Sequence, residues 1–502
     1  MTTLEKITEL QKVKAELALG GGKDKQDKQH VAGKLTAQER IALLMDEGSF
    51  IEIGALAGSD DGRAVAEEGV VCGYGSVDGR LTFVYAQDYT ALGGAMSKVQ
   101  ADKICRTINM AVKMGAPVVA VFDSCGARVG EGIEILGAYG RIFDAIGNAS
   151  GVVPQIAAVM GTCAGSAMLA AQMQDFVVMT EKTSHMFVNS TQMVAGATST
   201  VITDDELGGA KVHGEKTGLA QFIYENDEAA VAGIKTVLSY LPSNNLEDAP
   251  ETLCDEADIN RISSALMTVI PDDIDGDYDV KTVIGEIADA GLFVESGKGY
   301  GKNIVTGFAR MGGRSVGIVA NNAGRTLCGG CAEKAAAFVN FCDSFSIPLV
   351  TLVDADSFVV GKDAEHSKMA KAAAKLICAF SQATMPKVTV VLRKAYGVAA
   401  LAMCSKVTGA DIVFAWPTAE ISVMNPDGAA CVMFADQITT KQSRQAKADE
   451  YRKTYASPYE AARLGYADDI IEPDSTRPRV ISALDMLYSK RDVRPAKKHT
   501  NV

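Results

Sequence analysis

The segment APVVAVFD at residues 116–123 recurs as IPLVTLVD at residues 347–354, and this recurrence indicates a repeated fold. In both copies a proline lies six residues before the final aspartate, which is Asp123 in the first and Asp354 in the second. Each segment is apolar almost throughout, without the alternation that is typical of a half-exposed strand, so we predict a strand buried on both faces. Such strands belong to layered α/β folds, in which helices cover a parallel sheet.

The recurrence continues along the chain in the same order. PQIAAVMGTCAGSAM from Pro154 matches PKVTVVLRKAYGVAA from Pro386, and short β-branched runs alternate with alanine-rich helical stretches in both copies. Further matched pairs, at a nearly constant separation, are Gly130 with Gly361, Gly165 with Gly397, Asp175 with Asp411, and Asn189 with Asn425. We therefore predict two copies of one α/β fold, residues 1–255 and residues 256–502, joined by a turn-rich linker.

Composition bounds the class of protein. A chain of 502 residues with 47% hydrophobic and 22% charged residues is typical of a globular protein with several domains. The net charge is −13, but residues 241–280 contain eleven acidic residues and one basic residue, so the acidity marks a connecting segment. The sequence has neither a stripe of basic residues nor a known nucleic-acid-binding motif, and nucleic-acid binding is therefore excluded.

The number of cysteines and the hydropathy of the chain indicate where in the cell the protein is found. The eleven cysteines are an odd number without framework spacing, which predicts a reduced, cytoplasmic chain. The N-terminus is charged and amphipathic, so we expect no signal peptide. Residues 145–174 contain no charge, but Pro154 and a broken periodicity favour a buried strand followed by a buried helix. We therefore predict no membrane insertion.

The usual catalytic motifs are missing. The sequence contains no G-x-S-x-G, no H-E-x-x-H and no Walker loop, and its five histidines make no metal-like cluster. We therefore predict no metal site. Cys328 and Cys331 form a C-x-x-C, but a second pair for zinc and a thioredoxin-like strand context are both absent. The sequence alone therefore assigns no role to this cysteine pair.

Small residues follow the predicted strands instead. The strand at residues 118–122 continues into DSCGARVGEG, and the strand at residues 156–160 continues into GTCAGSAM. A glycine-rich turn that opens a helix leaves backbone N–H groups unpaired. Two such turns side by side can form an oxyanion hole, which stabilises the charge on a thioester enolate. Tight packing of strand on helix, without a ligand, is the alternative interpretation.

Longer stretches add to this pattern and cover nearly the whole chain. They are QHVAGKLTAQER (29–40), DEGSF (46–50), AQDYT (86–90), SCGAR (124–128), ELGGA (206–210), KAAAFV (334–339), RKAYG (393–397), AWPTAEISVM (415–424) and the final KKH (497–499). Together they resemble the carboxyltransferase component of biotin-dependent acyl-CoA carboxylases and decarboxylases. The resemblance implies an α/β protein of tandem crotonase-like domains, each a ββα superhelix.

The resemblance also implies two half-sites, with acyl-CoA bound by the first copy and biotin by the second. The thioester oxygen is expected near Gly126, Ala127, Gly165 and Ser166. The ureido oxygen of biotin is expected near Val360, Gly361, Gly397, Val398 and Ala399. Further contacts with substrate or biotin are expected from Arg128, Tyr396 and Leu401.

Three basic residues in the segment that most resembles the family are candidates for CoA binding. His30, Lys34 and Arg40 follow one another at spacings of four and six residues. We expect them to gather near the phosphates of CoA, where several charge-assisted contacts add up. A solvated start of a helix is the alternative for this segment.

The implied reaction needs no side-chain base, because biotin itself can serve as the base. Catalysis then consists of positioning and two oxyanion holes. Members of the family pair head to tail, with each active site between two chains, and commonly form homohexamers that are trimers of dimers. The chain has no E-A-M-K-M motif and no ATP-grasp loop, so a biotin carboxyl carrier protein and a biotin carboxylase are expected as separate subunits.

Departures from the family pattern leave the acyl preference open between acetyl-CoA and propionyl-CoA. They include Cys125, Ser166, Val398, Ala323 and the loop at residues 188–200. One alternative is the decarboxylase subunit of a sodium-pumping complex that acts on malonyl-CoA or methylmalonyl-CoA. An alternative of another class is a non-catalytic assembly subunit.

Overall fold

A computed structural model describes residues 1–58, 68–322 and 326–493. The chain divides into two compact units, Met1–Glu247 and Asp248–Val502. The division lies inside the acidic segment at residues 241–280, slightly before the boundary that the sequence suggested. Ala323 and the terminal KKH stretch lie outside the described residues.

The first unit alternates strands and helices after an N-terminal helical segment. Its strands are β1 (Ile51–Glu52), β2 (Val70–Val77), β3 (Arg80–Gln87), β4 (Val118–Ser124), β5 (Gln155–Ala164), β6 (Phe176–Thr180), β7 (His185–Phe187) and β8 (Phe222–Tyr224). Its helices are α1 (Thr3–Ala18), α2 (Lys23–Val31), α3 (Ala37–Leu44), α4 (Lys98–Met114), α5 (Glu134–Ala149), α6 (Ser166–Gln172), α7 (Thr191–Thr198), α8 (Asp204–Gly208), α9 (Ala210–Val212) and α10 (Asp227–Tyr240).

The strands of this unit form one sheet in the order β1-β2-β3-β4-β5-β6-β8, and β7 pairs with the end of β5. The pairs β1–β2 and β2–β3 are antiparallel, whereas β3, β4, β5, β6 and β8 run parallel. Every residue of β4 is buried, as the uniformly apolar segment predicted. The uncharged stretch at residues 145–174 comprises the end of α5, β5 and α6, which confirms the strand followed by a helix.

The second unit repeats this arrangement. Its strands are β9 (Phe293–Ser296), β10 (Ile304–Met311), β11 (Arg314–Asn321), β12 (Leu349–Ala355), β13 (Lys387–Tyr396), β14 (Ile412–Ala415), β15 (Glu420–Ser422) and β16 (Asp469–Ile470). Its helices are α11 (Glu256–Ile259), α12 (Val280–Ile287), α13 (Gly329–Ser344), α14 (Lys362–His366), α15 (Met369–Gln382), α16 (Gly397–Ala402), α17 (Pro426–Met433), α18 (Lys441–Tyr451), α19 (Pro458–Arg463) and α20 (Thr476–Leu487).

Its sheet has the order β16-β14-β13-β12-β11-β10-β9, with β15 on the end of β13. The repeat extends to irregularities in register. In the first unit the β4–β5 register shifts between Phe122 and Ser124, and in the second the β12–β13 register shifts between Val353 and Ala355. The two shifts fall at equivalent positions of the repeated segments, directly around Asp123 and Asp354. The two copies therefore share the same fold and also the same register shift next to the candidate site.

Helix α4 shows how a helix with one apolar face covers the sheet. Ser97 caps its N-terminus by accepting from the Gln100 N–H, and Gly115 ends it in the left-handed conformation at φ 63°. Between these caps a stripe of Ala101, Ile104, Ile108 and Ala111 is buried at the spacing of one helix face. This stripe packs on β2 and β3 and forms part of the core of the first unit.

No helix within residues 1–58, 68–322 and 326–493 is both long and apolar enough to cross a membrane.

Candidate active site

The candidate site of each unit lies at the carboxyl ends of two neighbouring parallel strands. In the first unit Ser124 at the end of β4 pairs with Cys163 near the end of β5. In the second unit Ala355 at the end of β12 pairs with Ala395 near the end of β13. The two small-residue turns of each unit therefore leave the same edge of its sheet side by side, which is where open α/β sheets bind ligands.

The turn after β4 is held by two backbone hydrogen bonds to one residue. The Met96 N–H donates to the Gly126 carbonyl oxygen at 2.8 Å, and the Arg128 N–H donates to the Met96 carbonyl oxygen at 2.9 Å. The Gly126 N–H is also used, because it donates to Ser124 Oγ at 3.1 Å. The N–H of Ala127, between these residues, has no acceptor among the residues that the structure describes. Ala127 is therefore the donor that this turn offers to a ligand.

The turn after β5 opens helix α6. Gly165 has φ 65° and ψ −129°, a backbone conformation that favours glycine, and its N–H donates to the Phe187 carbonyl oxygen at 2.9 Å. Ser166 and Ala167 are the first two helical residues, whose N–H groups have no partner inside a helix. Neither donates to another described residue. Of the four residues predicted for this hole, Ala127 and Ser166 thus keep a free donor, whereas the two glycines have used theirs.

The second unit has the same arrangement after β12. The Leu327 N–H donates to the Ser357 carbonyl oxygen at 2.8 Å, and the Val359 N–H donates to the Leu327 carbonyl oxygen at 2.9 Å. Phe358 lies between them, and within the described part of the chain its N–H meets no acceptor. The equivalent of Ala127 is therefore Phe358, which the sequence analysis missed. The signal was present, since the two residues stand at the same distance after Asp123 and Asp354.

The predicted residues Val360 and Gly361 lie further along the same loop. Val360 is 88% exposed, and Gly361 directly precedes helix α14. They share the loop with Phe358 but lie beyond the pair of hydrogen bonds that fixes its backbone. Their proximity to a ligand therefore remains a prediction.

The turn after β13 opens helix α16. Gly397 has φ 52°, and a Cβ at this position would lie 2.9 Å from the Val423 carbonyl oxygen. Both its conformation and its close approach to Val423 therefore require glycine. Val398 and Ala399 follow in the first helical turn, where N–H groups lack intrahelical acceptors.

A cavity of about 520 Å³ lies beside this turn in the second unit. Gly397, Val398 and Leu401 line it, and the rest of its wall is mainly apolar. Other lining residues are Met403, Ile421, Val423, Tyr455, Leu464 and Tyr466, with Ser405, Lys406 and Glu460 as polar members. Mostly apolar cavities with a few polar groups are typical small-molecule sites. Leu401, predicted to contact a ligand, is 40% exposed and lies in this wall.

Tyr396 requires a correction. It was expected to contact substrate or biotin, but it is 3% exposed and its hydroxyl donates to the Glu420 carboxylate. Burial and the neighbouring carboxylate raise the pKa of Tyr396 well above its ordinary value. The Glu420 carboxylate also lies 3.5 Å from Nε of Arg452. Tyr396 therefore ties β13 to β15, and its hydroxyl proton is already donated to Glu420.

Arg40 requires a second correction. It was expected near the phosphates of CoA, but it is 1% exposed. Its guanidinium donates to Asp227 at 2.7 Å, to Asp123 at 3.0 Å and to the Met160 carbonyl oxygen at 2.8 Å. The two carboxylates raise the pKa of Arg40 despite its burial. Arg40 therefore neutralises two buried carboxylates inside the first unit and is closed to a phosphate.

The other two basic residues of the N-terminal segment are also paired with carboxylates. Lys34 Nζ lies 3.0 Å and 3.1 Å from the two carboxylate oxygens of Asp123 and sits over the Tyr89 ring. His30 Nε2 lies 2.9 Å from the Glu39 carboxylate. Lys34 and Arg40 share Asp123, whereas His30 pairs with Glu39, so all three basic groups are already paired with carboxylates of the protein.

Asp354, the equivalent of Asp123, is paired in the same manner. Arg393 from β13 lies 2.9 Å from its carboxylate, and Tyr278 donates to that carboxylate at 2.9 Å. The two aspartates that mark the repeat are fully buried. They hold surrounding segments in place in each unit and are not available as general bases.

Arg128 follows the donor residue Ala127. Its guanidinium lies 3.3 Å from the Glu68 carboxylate, which also accepts from Ser97 Oγ at 2.6 Å. The side chain of Arg128 is therefore held beside the turn by the same carboxylate that contacts the cap of α4. Its expected contact with substrate remains a prediction.

Among the described residues, Cys254, Asp258 and Asp289 form a group with metal-ligand atoms close together. The Arg477 guanidinium lies 2.5 Å from Asp258 and 2.6 Å from Asp289. A cation of the protein itself therefore occupies the position that a metal ion would need.

Comparison with known proteins agrees with this architecture. The model of the carboxyl transferase domain family matches residues 28–502. The chain is 45% identical to methylmalonyl-CoA decarboxylase subunit alpha of Propionigenium modestum, over 99% of each chain. It is 44% identical to the propionyl-CoA carboxylase carboxyltransferase subunit of Haloferax mediterranei, over 100% of each.

A solved structure gives the same result for the fold. The transcarboxylase 12S hexamer, crystallised with methylmalonyl-CoA and methylmalonic acid, superposes with a TM-score of 0.96 at 42% identity. The match covers 100% of this chain and 98% of that chain. The predicted α/β fold of tandem crotonase-like domains is confirmed.

Proposed function

This chain belongs to the carboxyl transferase domain family, and we propose that it moves a carboxyl group between carboxybiotin and the α-carbon of propionyl-CoA. The carboxylated product would be methylmalonyl-CoA. Relatives named after propionyl-CoA and methylmalonyl-CoA span the whole chain, which supports these two thioesters over acetyl-CoA and malonyl-CoA. The observation that carries the proposal is the pair of repeated turns, each with a backbone donor that no described residue uses.

In the acyl-CoA half-site we assign the thioester oxygen to the N–H groups of Ala127 and Ser166. The two residues follow neighbouring strands, and their turns are fixed by hydrogen bonds that do not involve these two donors. Donors that are oriented before the reaction stabilise an enolate oxygen at little reorganisation cost. Gly126 and Gly165 shape the hole, since each provides a conformation with positive φ.

In the biotin half-site we assign the ureido oxygen to Phe358, Val398 and Ala399, with Val360 and Gly361 in the adjoining loop. The cavity beside Gly397 supports the part of this assignment that concerns Val398, because its volume of about 520 Å³ and its apolar wall suit a compact bicyclic ring. Leu401 would contact the ring in that cavity. When bound, biotin supplies both the carboxyl group and the base.

The chain's own residues then bind and orient the acyl-CoA and the biotin, and they exclude water from the site. His213 illustrates why no side-chain base is assigned: Nε2 contacts the Met186 carbonyl oxygen at 2.8 Å and Nδ1 contacts Thr217 Oγ1 at 3.0 Å. Burial lowers the pKa of His213, which keeps the ring neutral. Both ring nitrogens are engaged, so this histidine has no role in moving the α-proton.

Partner subunits complete the proposal. We expect biotin to arrive on a separate carrier protein that is charged by a separate biotin carboxylase. We also propose a homohexamer, a trimer of dimers with each active site between two chains, because the transcarboxylase 12S structure at 42% identity is a hexamer.

A decarboxylase role is the second candidate. It is favoured by the relative at 45% identity, which is a methylmalonyl-CoA decarboxylase subunit alpha. In that role the same half-sites would run the transfer from the acyl-CoA to biotin, and a sodium-pumping membrane partner would consume the carboxybiotin. The non-catalytic alternative is not supported, since the relatives that span the chain are named as carboxylase and decarboxylase subunits.

Carboxyl transfer from methylmalonyl-CoA to free biotin tests the proposal without partner subunits. We expect biotin-dependent formation of propionyl-CoA, and slower transfer from malonyl-CoA. Hydrolysis of the thioester without biotin dependence, or no reaction with either substrate, would contradict it.

A further inference from the structure

We propose that Cys328 and Cys331 form a reversible dithiol–disulfide pair that acts on the turn at Phe358. The two cysteines lie in the second unit at the start of helix α13, and their sulfurs are bonded in the structure. The expectation of a fully reduced chain is corrected at this one pair. Its partner in solution would be a low-molecular-weight disulfide such as oxidised glutathione.

The geometry of a helix cap brings the two side chains together. Cys328 is the N-cap residue, and its Sγ accepts from the Cys331 N–H at 3.0 Å. The Cα atoms of the pair are 4.9 Å apart, within the usual range for a disulfide. The cap therefore keeps the two sulfurs close to each other. Gly330, between them, fits closely against Tyr300, because a Cβ at this position would clash with the phenol hydroxyl.

The first copy shows what the cap does without sulfur. The equivalent residues there are Ser97 and Gln100, and the Gln100 N–H donates to Ser97 Oγ at 3.0 Å. The same cap thus uses the Ser97 hydroxyl as acceptor in one unit and the Cys328 sulfur in the other, and the donor is a backbone N–H in both. Capping alone does not require cysteine at either position, so the two thiols add a chemistry that the cap does not need.

The two cysteines differ in solvent exposure in the way that thiol–disulfide exchange requires. Cys328 is partly exposed, whereas Cys331 is fully buried. A thiol at the N-terminus of a helix is stabilised as the thiolate by the unpaired N–H groups there. Cys328 is therefore the attacking sulfur, and Cys331 resolves the intermediate.

The redox step is an exchange that conserves atoms and electrons. The Cys328 thiolate attacks one sulfur of the small disulfide, breaks its S–S bond and releases one thiolate. Cys331 then loses its proton and attacks the sulfur of Cys328, which releases the second thiol. The chain loses two electrons and two protons, and the small disulfide becomes two thiols.

Leu327 connects this pair to the candidate biotin half-site. It directly precedes Cys328, and it makes both backbone hydrogen bonds that hold the turn, at 2.8 Å to Ser357 and 2.9 Å to Val359. Closing the disulfide stiffens the residue next to Leu327 and so favours the turn that orients the Phe358 N–H. Reduction loosens the same attachment.

The chemical test needs no activity. The full chain is equilibrated with oxidised or reduced glutathione, free thiols are alkylated, and the peptides that contain Cys328 and Cys331 are analysed by mass spectrometry. We expect a 328–331 disulfide under oxidised glutathione that dithiothreitol reverses. Buried Cys342 serves as an internal control and should stay unlinked. Two alkylated thiols in every buffer, or a disulfide that dithiothreitol never opens, would overturn the proposal.

A second test reads the effect on the turn and rests on the proposed function. We expect reduction to raise the KM for free biotin about threefold, the effect of one weakened hydrogen bond, and to leave the KM for acyl-CoA unchanged. The variant with Cys328→Ser and Cys331→Gln reproduces the cap of the first copy and should show no redox response. An equal response in this variant would overturn the coupling. Since the peptide analysis requires no catalysis, loss of the proposed function and loss of the redox pair remain distinguishable.

Discussion

Ala127 and Phe358 occupy the same position in the two units, each with an N–H that no described residue accepts. Their neighbours on both sides are hydrogen-bonded to a single residue, Met96 in the first unit and Leu327 in the second. The backbone itself therefore orients the donor in both units. A donor of this kind does not depend on the surrounding side chains, so the departure at Cys125 leaves it in place.

The two turn glycines should differ in their tolerance of a methyl group. Gly165→Ala places alanine at φ 65° and ψ −129° with its Cβ 4.0 Å from the nearest atom, so only backbone strain of about 1–3 kcal/mol is expected. Gly397→Ala adds a 2.9 Å contact with the Val423 carbonyl oxygen. We expect the larger loss of carboxyl transfer in Gly397→Ala, measured as kcat/KM with methylmalonyl-CoA and biotin. His30→Gln is the control and should retain the parental rate; a greater loss in Gly165→Ala would contradict the expectation.

Arg40→Met should affect stability and not CoA binding. The substitution leaves the Asp123 and Asp227 carboxylates buried without their shared guanidinium, and breaking such a pair costs about 3–5 kcal/mol. Urea unfolding measures the loss. Arg141→Met removes an exposed ion pair with Asp102 and should change the stability by less than about 1 kcal/mol. Unchanged unfolding together with a higher KM for acyl-CoA would instead return Arg40 to the CoA site.

Asp175 should make the first unit less stable as the pH rises. Burial raises the pKa of Asp175 to about 7 from 3.8, and the hydrogen bond that its carboxylate accepts from the Gln155 N–H, the one such bond among the described residues, offsets only part of this. The folded state therefore binds a proton that the unfolded state has lost, and the stability that this provides decreases between about pH 4 and pH 7. Asp175→Asn keeps an acceptor without a charge, so its melting temperature should exceed that of the parent increasingly towards pH 8.

The second unit offers a matched control for this titration. Asp411, at the equivalent position, accepts from the Lys387 N–H at 2.8 Å and pairs with Lys490 at 2.9 Å. Asp411→Asn removes a paired charge and should lower the melting temperature at neutral pH. Parallel behaviour of the two asparagine variants would show that the isolation of Asp175 has no effect.

Filling the cavity beside Gly397 should weaken biotin binding selectively. Leu401→Trp adds volume to the wall of the 520 Å³ cavity. We expect a higher KM for free biotin and an unchanged KM for methylmalonyl-CoA. Val432→Trp, at a site that is 72% exposed and outside the cavity wall, should change neither constant. An equal rise in both KM values for Leu401→Trp would argue against a biotin site here.

The sequence predicts the fold more completely than the roles of individual residues. The repeated apolar segments ending at Asp123 and Asp354 predicted buried parallel strands, because uniform hydrophobicity reflects burial on both faces. The role of Arg40 depends on partners 83 and 187 residues away, which local spacing does not reveal. For the same reason the spacing of His30 and Lys34 suggested a phosphate cluster where the structure has separate ion pairs.

The sequence predicts only some of the backbone N–H donors of the two half-sites. Ala127 and Ser166 follow from the small-residue turns, but the glycines beside them give their N–H groups to Ser124 and Phe187. Those acceptors are set by tertiary structure. Phe358 was accessible from the repeat, since it is the counterpart of Ala127 in the second copy, yet its large side chain lacks the small-residue signal.

Proline substitution provides the most direct test of the central claim, that backbone N–H groups at Ala127 and Phe358 stabilise the two oxyanions. Ala127→Pro and Phe358→Pro each delete that donor and no hydrogen bond between described residues. Val129→Pro, in the same loop as Ala127 but outside both assigned half-sites, is the control that leaves both donors in place. With the melting temperature within a few degrees of the parent, transfer from methylmalonyl-CoA to biotin should fall roughly 10²–10³-fold in the first two variants and far less in the third. Parental rates in Ala127→Pro and Phe358→Pro would contradict the account.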